Sequence, residues 1–360
     1  PGSGDRARWT GPFFANDESA YFMSLNRGKK SITLNLQSPK GKEIFLSLVK
    51  QADVVVENFV PGTAKKLGID YSVLKEVNPR LIYAAISGFG QTGPYAHRPA
   101  LDVIVQGMGG IMSITGEPGR PPVRVGASVG DIAAGMFTAI GIVAAVHERS
   151  RSGLGQMLDV SMLDSQVAIL ENAFARYWAT GEIPQPLGSR HSAATPFQAF
   201  QTRDGYIVVA LMGGDPDPWP VFCSALDLVE LIGDERFLDG WKRTNNYDVL
   251  EPILSEAMKK RTSQEWLQTF EELGIPCGPV NAIDRVASDP QVLHRGMVVD
   301  TPHPRLGTWK TVNSPLRLSR TPGQARGIAP QMGEHTEEIL ARFLGVTPQQ
   351  VEALRRGGVV

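Results

Sequence analysis

The sequence is poor in cysteine and carries almost no excess charge of either sign. Its 360 residues include two cysteines, Cys223 and Cys277, which cannot build a disulfide framework and form no CxxC pair. Lysine and arginine total 36 against 37 aspartates and glutamates, so the basic excess of a protein that neutralises many phosphates is missing. These shortages favour an enzyme of a reducing compartment over a nucleic-acid-binding protein. We expect a cytoplasmic location, or the mitochondrial matrix if the source is eukaryotic.

Several signatures of known chemistry are missing as well. No G-x-S-x-G segment is present, which excludes the nucleophile turn of the serine hydrolases. No spacing of His, Cys and Asp residues is typical of metal ligands. The longest apolar stretch, residues 132–146, has the length of a buried helix rather than that of a bilayer span. We therefore expect no metal, no tightly bound cofactor and no membrane partner.

Alternating strand and helix patterns predict an α/β fold. Residues 31–36, 53–56 and 81–86 have the composition of strands, with helical patterns between them. Strands and helices in alternation predict a parallel sheet with right-handed crossovers. A long helix rich in Gly and Ala is expected over residues 127–149, and a short strand over residues 157–160.

A linker rich in Pro, Gly and Ser, residues 181–195, precedes a predicted hairpin. Its strands, residues 199–202 and 206–209, flank Arg203-Asp204-Gly205, which is a strong turn signal. The predicted domains are a large α/β domain over 1–190, a small α+β domain over 191–295, and a return to the large domain over 296–360.

Three features at strand or helix ends are candidates for a site. Residues Gly88 to Gly93 fit G-x-G-x-x-G, but Pro94 follows instead of a helix, so nicotinamide binding is not expected. These glycines either let the backbone approach a substrate or shape a turn. Asp164 falls in the first turn of a helix, which on the residues alone favours a structural role over a catalytic one. Gly213-Gly214 lies in a loop that either covers a site or is ordinary surface.

Basic residues gather at the edges of the predicted sheet. Lys29-Lys30, Lys65-Lys66 and Arg98 all lie at strand or helix ends. Such a group suits the phosphates of a ligand, although a solvated surface is the commoner reason for it.

Nine short segments of the chain are together a specific family signal, because they occur in a fixed order, although each alone is a modest one. They are residues 1–5, 26–32, 56–62, 87–94, 114–118, 129–131, 155–164, 274–280 and 333–336. With them the chain resembles the class III CoA-transferases, the group of formyl-CoA transferase and carnitine-CoA-transferase. The resemblance implies a Rossmann-like large domain built from both chain ends, an inserted small domain and an interlocked homodimer. It also implies that coenzyme A, as acyl-CoA, and a small carboxylic acid are the substrates.

The resemblance implies roles for individual residues. Asp164 matches the nucleophilic aspartate, which forms an aspartyl anhydride and then an aspartyl-CoA thioester. Asp102 matches an acidic residue near the nucleophile, and Gly213-Gly214 matches a loop that shields the intermediates. The other expected positions are the CoA-site residues Leu34, Asn58, Phe59, Lys66, Gly88, Gly90 and Arg98, and the active-site aromatic residues Trp9 and Tyr21.

Two departures from the family bear on this reading. The family begins with a strand and a helix ahead of the segment that matches Pro1, and we expect that this unit is missing from the sequence by truncation. The loop over residues 211–216 is shorter and less glycine-rich than that of formyl-CoA transferase, which argues against formate and oxalate. The overall pattern resembles the branch that uses dicarboxylic acids such as succinate and hydroxymethylglutarate. We expect a succinyl-CoA-type donor, with Arg190 or His191 as either carboxylate-binding or surface linker residues.

Two other functions stay open. An acyl-CoA racemase of the same superfamily removes an α-proton with a His/Asp pair, but Ser113 stands at the place of that histidine. A non-catalytic CoA-binding subunit would keep the basic edges without needing Asp164. The variant Asp164→Ala is expected to abolish turnover in a transferase and to leave CoA affinity intact in a binding subunit.

Overall fold

The computed structural model describes residues 2, 4–13, 18–214, 216–323 and 327–360. Pro1, Ser3 and Asp215, which belong to segments discussed above, lie outside the described residues. Contacts between Cα atoms divide the chain into two units. The first comprises Pro1–Asp102, Gly130–Ser165 and Arg285–Val360, and the second comprises Val103–Val129 and Gln166–Asp284. This division differs from the predicted domain boundaries at 190 and 295, which stay a prediction.

The described residues form α-helices and β-strands along the whole chain. The helices are α1 (Ala20–Asn26), α2 (Pro39–Val49), α3 (Thr63–Leu67), α4 (Tyr71–Val77), α5 (Asp102–Met108), α6 (Ile111–Ile114), α7 (Val129–Ser152), α8 (Met162–Ala168), α9 (Glu171–Thr180), α10 (Trp219–Ala225), α11 (Gly240–Asn245), α12 (Tyr247–Met258), α13 (Ser263–Glu272), α14 (Ile283–Ser288), α15 (Pro290–His294), α16 (Thr336–Leu344) and α17 (Pro348–Arg356). The strands are β1 (Val54–Glu57), β2 (Ile82–Ser87), β3 (Met157–Ser161), β4 (Phe197–Gln201), β5 (Tyr206–Ala210), β6 (Cys277–Pro279), β7 (Val298–His303) and β8 (Gly307–Val312).

A parallel sheet of order β1-β2-β3 forms the centre of the first unit. The middle strand β2 is almost completely buried, as expected for a strand covered on both faces. The predicted strands over residues 53–56, 81–86 and 157–160 are confirmed to within one residue at each end. The α/β fold class is confirmed as well.

Residues 31–36, predicted as the first strand, have no regular secondary structure. The Ser31 N–H donates to Nδ1 of His335 at 3.2 Å instead of to a neighbouring strand. Ile32 and Leu34 belong to an apolar cluster that α16 and α17 also supply. Apolar contacts of Ile32 and Leu34 alternate here with polar contacts of Ser31 and Thr33, whose N–H groups donate to His335 and Thr336. The sequence therefore alternates as a strand does, but the strand prediction is wrong here.

The second unit contains an antiparallel sheet of order β4-β5-β6. The predicted hairpin is confirmed, and the Thr202 N–H donates to the carbonyl O of Gly205 at 2.9 Å across its turn. Helices α10, α12 and α13 supply a core around this sheet. Its largest fully buried apolar side chains include Trp219, Phe222, Trp266 and Phe270.

The long helix α7 carries an apolar stripe that the single chain leaves exposed. Ile132, Met136, Ile140 and Val143 are 50%, 57%, 65% and 69% exposed, and their spacing of three or four residues puts them on one face. Within the single chain this face of the helix is therefore not buried. By length and composition α7 also meets the weak criterion for a membrane-spanning helix, contrary to our expectation.

Candidate active site

A cavity of about 490 Å³ lies in the first unit, at the carboxyl ends of its parallel strands. Asn58 directly follows β1, Gly88 directly follows β2, and Met162 directly follows β3. Ligands of open α/β sheets bind in the crevice at this edge. Six of the predicted site residues line the cavity: Tyr21, Asn58, Phe59, Gly88, Arg98 and Asp102.

Short hydrogen bonds fix the loops that border the cavity. The Asn58 Nδ2 group donates to the carbonyl O of Ile86 at 2.7 Å, which ties the loop after β1 to the end of β2. A side chain at Gly88 would place its Cβ 2.2 Å from the Cβ of Ala100. The loop after β2 therefore passes so close to Ala100 that only glycine fits without a shift.

Three carboxylates line the cavity: Asp5, Asp102 and Asp131. Asp5 Oδ1 accepts the Ala7 N–H at 2.8 Å, whereas Asp102 and Asp131 influence each other electrostatically. Asp102 is 9% exposed, and its Oδ1 accepts the Gly130 N–H at 2.9 Å. Asp131 lies in the first turn of α7 and is exposed in the single chain. Partial desolvation by the surrounding protein nevertheless raises the pKa of the Asp131 carboxyl, and the Asp102 carboxylate raises it further. The Asp131 carboxylate is thus more basic than an ordinary aspartate while remaining accessible from the cavity.

Asp131 is the site residue that the sequence reasoning missed. The segment 129–131 was one of the nine that carried the family resemblance, but its aspartate received no role. A usable signal was present, because a Gly-Asp pair begins the longest helix and an aspartate is stabilised by the positive end of a helix dipole. Asp164 shares the first-turn position on the short helix α8, although Leu163 and not glycine precedes it, so the position in a helix alone does not separate the two.

The structure does not bring Asp164 into this cavity. Its side chain is exposed and is not among the lining residues, and its N–H is bonded to Oγ of Ser161 at 3.1 Å. Leu34 lines a different cavity of about 400 Å³, which Arg8, Lys29 and Lys30 also line. Besides Asp164, the predicted residues that line neither cavity are Trp9, Lys66, Gly90, Gly213 and Gly214, of which the last two belong to the second unit.

The described residues contain no group of three or more His, Cys, Asp or Glu side chains arranged to hold a metal ion. Ser113, at the place where a racemase would carry its histidine, donates its hydroxyl to the carbonyl O of Gly110 at 2.7 Å. A serine hydroxyl is far too weak a base to take up an α-proton, which disfavours the racemase alternative.

The profile of CoA-transferase family III matches residues 1–336 of the chain. The protein is a family III CoA-transferase. Succinyl-CoA:glutarate CoA-transferase of Mus musculus is 38% identical over 360 residues, which are 100% of this chain and 82% of that protein. Acetyl-CoA:oxalate CoA-transferase of Acetobacter aceti is 43% identical over 346 residues, 95% of this chain and 87% of that protein. Succinyl-CoA:mesaconate CoA-transferase of Haloarcula marismortui is 38% identical over 347 residues, 94% of this chain and 86% of that protein.

Solved structures of the family share this fold. A CAIB/BAIF family protein from Brucella suis is 37% identical, with a TM-score of 0.83 over 94% of this chain and 89% of that chain. Rv3272 from M. tuberculosis is 29% identical, with a TM-score of 0.81 over 93% of this chain and 88% of that chain. The predictions of a CoA-transferase, and of a likeness to members named for dicarboxylic acids, are confirmed.

Proposed function

We propose that this family III CoA-transferase moves CoA from a dicarboxylic acyl-CoA of the succinyl-CoA type to a free dicarboxylic acid, with Asp131 as the nucleophile. The observation that carries the proposal is the pair of Asp131 and Asp102 in one cavity with Asn58, Phe59 and Gly88. The names of two relatives support the choice of acids, since they pair succinyl-CoA with glutarate and with mesaconate. The Acetobacter aceti relative also takes a dicarboxylic acid, oxalate, but is named for a different donor, acetyl-CoA.

The reaction proceeds through covalent intermediates on Asp131. A carboxylate oxygen attacks the thioester carbonyl carbon of the donor, the C–S bond breaks, and CoA leaves as a thiolate. The thiolate attacks the aspartyl carbonyl carbon of the resulting anhydride and expels the donor acid, which leaves an aspartyl-CoA thioester. The acceptor carboxylate then attacks that carbon, and the released thiolate takes the acceptor acyl group from the second anhydride. Both intermediates must be kept from water, because hydrolysis would lose the thioester energy.

The remaining roles are assigned to residues by the family resemblance and by their positions. Asn58, Phe59, Gly88 and Arg98 would contact the acyl-CoA in the cavity, together with Tyr21 near the acyl group. Leu34, Lys66, Gly90 and Trp9 would serve parts of CoA or substrate beyond it. The loop at Gly213-Gly214 would shield the intermediates.

A panel of acyl-CoAs, each mixed with a panel of free carboxylic acids, tests the proposed function. Mass spectrometry should detect a new acyl-CoA that forms only when both substrates and Asp131 are present. Loss of α-deuterium from a branched acyl-CoA without exchange would instead support a racemase. CoA binding without either reaction would support a non-catalytic subunit.

Removing the Asp102 charge should shift the acid limb of the pH profile of kcat/KM. Activity requires the Asp131 carboxylate, so it falls as pH drops through the raised pKa of that group. The variant Asp102→Asn keeps an oxygen for the Gly130 N–H but removes the charge. It should lower the pKa of Asp131 and move the acid limb of kcat/KM to lower pH, while the contribution of burial remains. Asp164→Asn is the control, and an acid limb that stays in place in Asp102→Asn would contradict the coupling.

We also propose that a second copy of the chain covers the exposed stripe of α7, as expected for the interlocked homodimer that the resemblance implies. Burying four large apolar side chains favours a protein partner. The variant Ile140→Glu should convert a dimer into a monomer or insoluble protein in light scattering after size exclusion. Val229→Glu, at a residue of the second unit that is 61% exposed, should not. A wild-type monomer that binds lipid vesicles would contradict this proposal and support a membrane contact.

A further inference from the structure

Two carboxylates outside the cavity, Glu57 and Asp159, share one row of the parallel sheet. Glu57 on β1 is the register partner of Ala85 on β2, and Ala85 is the partner of Asp159 on β3. Directly opposed residues of a sheet point to the same face, so both carboxylates flank the small, fully buried side chain of Ala85. With strands about 4.8 Å apart, the Cα atoms of Glu57 and Asp159 are roughly 10 Å apart.

Each carboxylate accepts a backbone N–H from a loop that leads into the cavity. Oε2 of Glu57 accepts the Phe59 N–H at 2.6 Å. The two carboxylate oxygens of Asp159 accept the Gln91 N–H at 3.0 and 3.2 Å. The first bond shapes the loop after β1, which presents Asn58 and Phe59, and the second shapes the loop after β2, which begins at Gly88. Neither Glu57 nor Asp159 lines the cavity itself.

The surroundings of Glu57 make its charge costly for the fold alone. Glu57 is half-buried beside an apolar cluster that includes Tyr83 and Ala85, and the Tyr83 hydroxyl donates to its Oε1 at 3.3 Å. Burial raises the pKa of Glu57, and the nearby Asp159 carboxylate raises it as well. Asp159 is exposed, so the cost of burial falls on Glu57. Such a local conflict is expected where function requires it.

We propose that Glu57 and Asp159 are positioning residues for acyl-CoA binding, each holding one of the two cavity loops in its binding conformation. A charged acceptor suits this role, because a carboxylate binds a backbone N–H about twice as strongly as a neutral acceptor does. Gly90 lets the second loop turn, with a φ of +86° that side chains rarely adopt. The proposal rests on the proposed function, since it assigns the acyl-CoA to this cavity.

Alanine and conservative variants of both residues test this role. Glu57→Ala and Asp159→Ala each remove a charge-assisted hydrogen bond, and each should raise KM for acyl-CoA about tenfold while kcat changes less than about threefold. Glu57→Gln and Asp159→Asn retain an acceptor oxygen and should return KM to within about threefold of wild type. The matched control is Asp53→Ala, which breaks the bond of Asp53 Oδ1 to the Arg149 guanidinium at the other end of β1, 3.0 Å long. It should leave KM unchanged.

Equilibrium binding of CoA, measured by titration calorimetry, separates this proposal from the proposed function. Wild-type protein that binds CoA but transfers it to no acid would contradict the transferase assignment alone. Alanine variants that bind CoA as tightly as wild type, or lose kcat at constant KM, would overturn the positioning role alone. Failure of the Gln and Asn variants to restore KM would overturn it too. Wild-type protein that binds no CoA would overturn both.

Discussion

Replacing Asp131 by alanine should lower kcat for CoA transfer by at least about a thousandfold, because it removes the group that forms the covalent intermediates. Asp131 lines the cavity with Asp102, and its raised pKa makes its carboxylate a better nucleophile than an ordinary aspartate. Affinity for CoA should change little, since the loops that would contact CoA are untouched. Steady-state kinetics and titration calorimetry measure the two effects separately.

Asp164→Ala is the matched control for this prediction. Asp164 is also an exposed aspartate in the first turn of a helix, and it lies in the same unit. It does not line the cavity, so its loss should leave kcat within about threefold of wild type. Loss of turnover in Asp164→Ala together with retained turnover in Asp131→Ala would reverse the assignment.

Arg243→Met should destabilise the second unit by about 3 kcal/mol, because it removes a buried guanidinium that donates to two buried backbone carbonyls and to Asp217. The Arg243 side chain is 2% exposed, and its NH1 group lies 3.2 Å from Oδ2 of Asp217. Its Nε donates to the carbonyl O of Thr195 at 3.0 Å, and NH1 to that of Phe237 at 3.1 Å. Methionine fills much of the volume but leaves these acceptors without a donor. Thermal and urea unfolding measure the loss.

Arg236→Met provides the comparison within the same unit. The Arg236 side chain is 53% exposed, and its ion pair with Asp234 at 2.6 Å lies at the surface. Arg236 lowers the pKa of Asp234 to about 2, yet solvent screens such a pair. The unfolding midpoint should therefore stay close to that of wild type. Equal losses in both arginine variants would contradict the argument from burial.

Local sequence was sufficient for the elements whose signals are local. The strands β1, β2 and β3 are short apolar runs between helical patterns. The turn residues at 203–205 predict the hairpin of β4 and β5. Residues 31–36 show the limit, because a segment without regular secondary structure, whose apolar residues Ile32 and Leu34 pack with α16 and α17, has the same sequence alternation as a strand. The exposed stripe of α7 shows a second limit, since the composition of an apolar helix does not reveal which of its faces is covered by the rest of the same chain.

Some residues of the candidate site were likewise predictable from local sequence, and others only from the packing. Asn58 and Gly88 were predictable because they follow parallel strands, whose carboxyl ends meet at one edge of the sheet. Asp131 and Asp164 were not separable, because each begins a helix and only the packing of α7 beside Asp102 puts one of them in the cavity. Glu57 and Asp159 emerge only from strand register, which brings residues 102 positions apart into one row.

Chemical trapping of the covalent intermediate tests the central claim most directly. The enzyme is incubated with succinyl-CoA alone and quenched with hydroxylamine, which converts an aspartyl anhydride or thioester into a hydroxamate. Trypsin then separates the two candidates, because Asp131 lies in the peptide 125–149 and Asp164 in the peptide 152–176. We expect a hydroxamate at Asp131. A hydroxamate on peptide 152–176, or none from an enzyme that turns over, would contradict it.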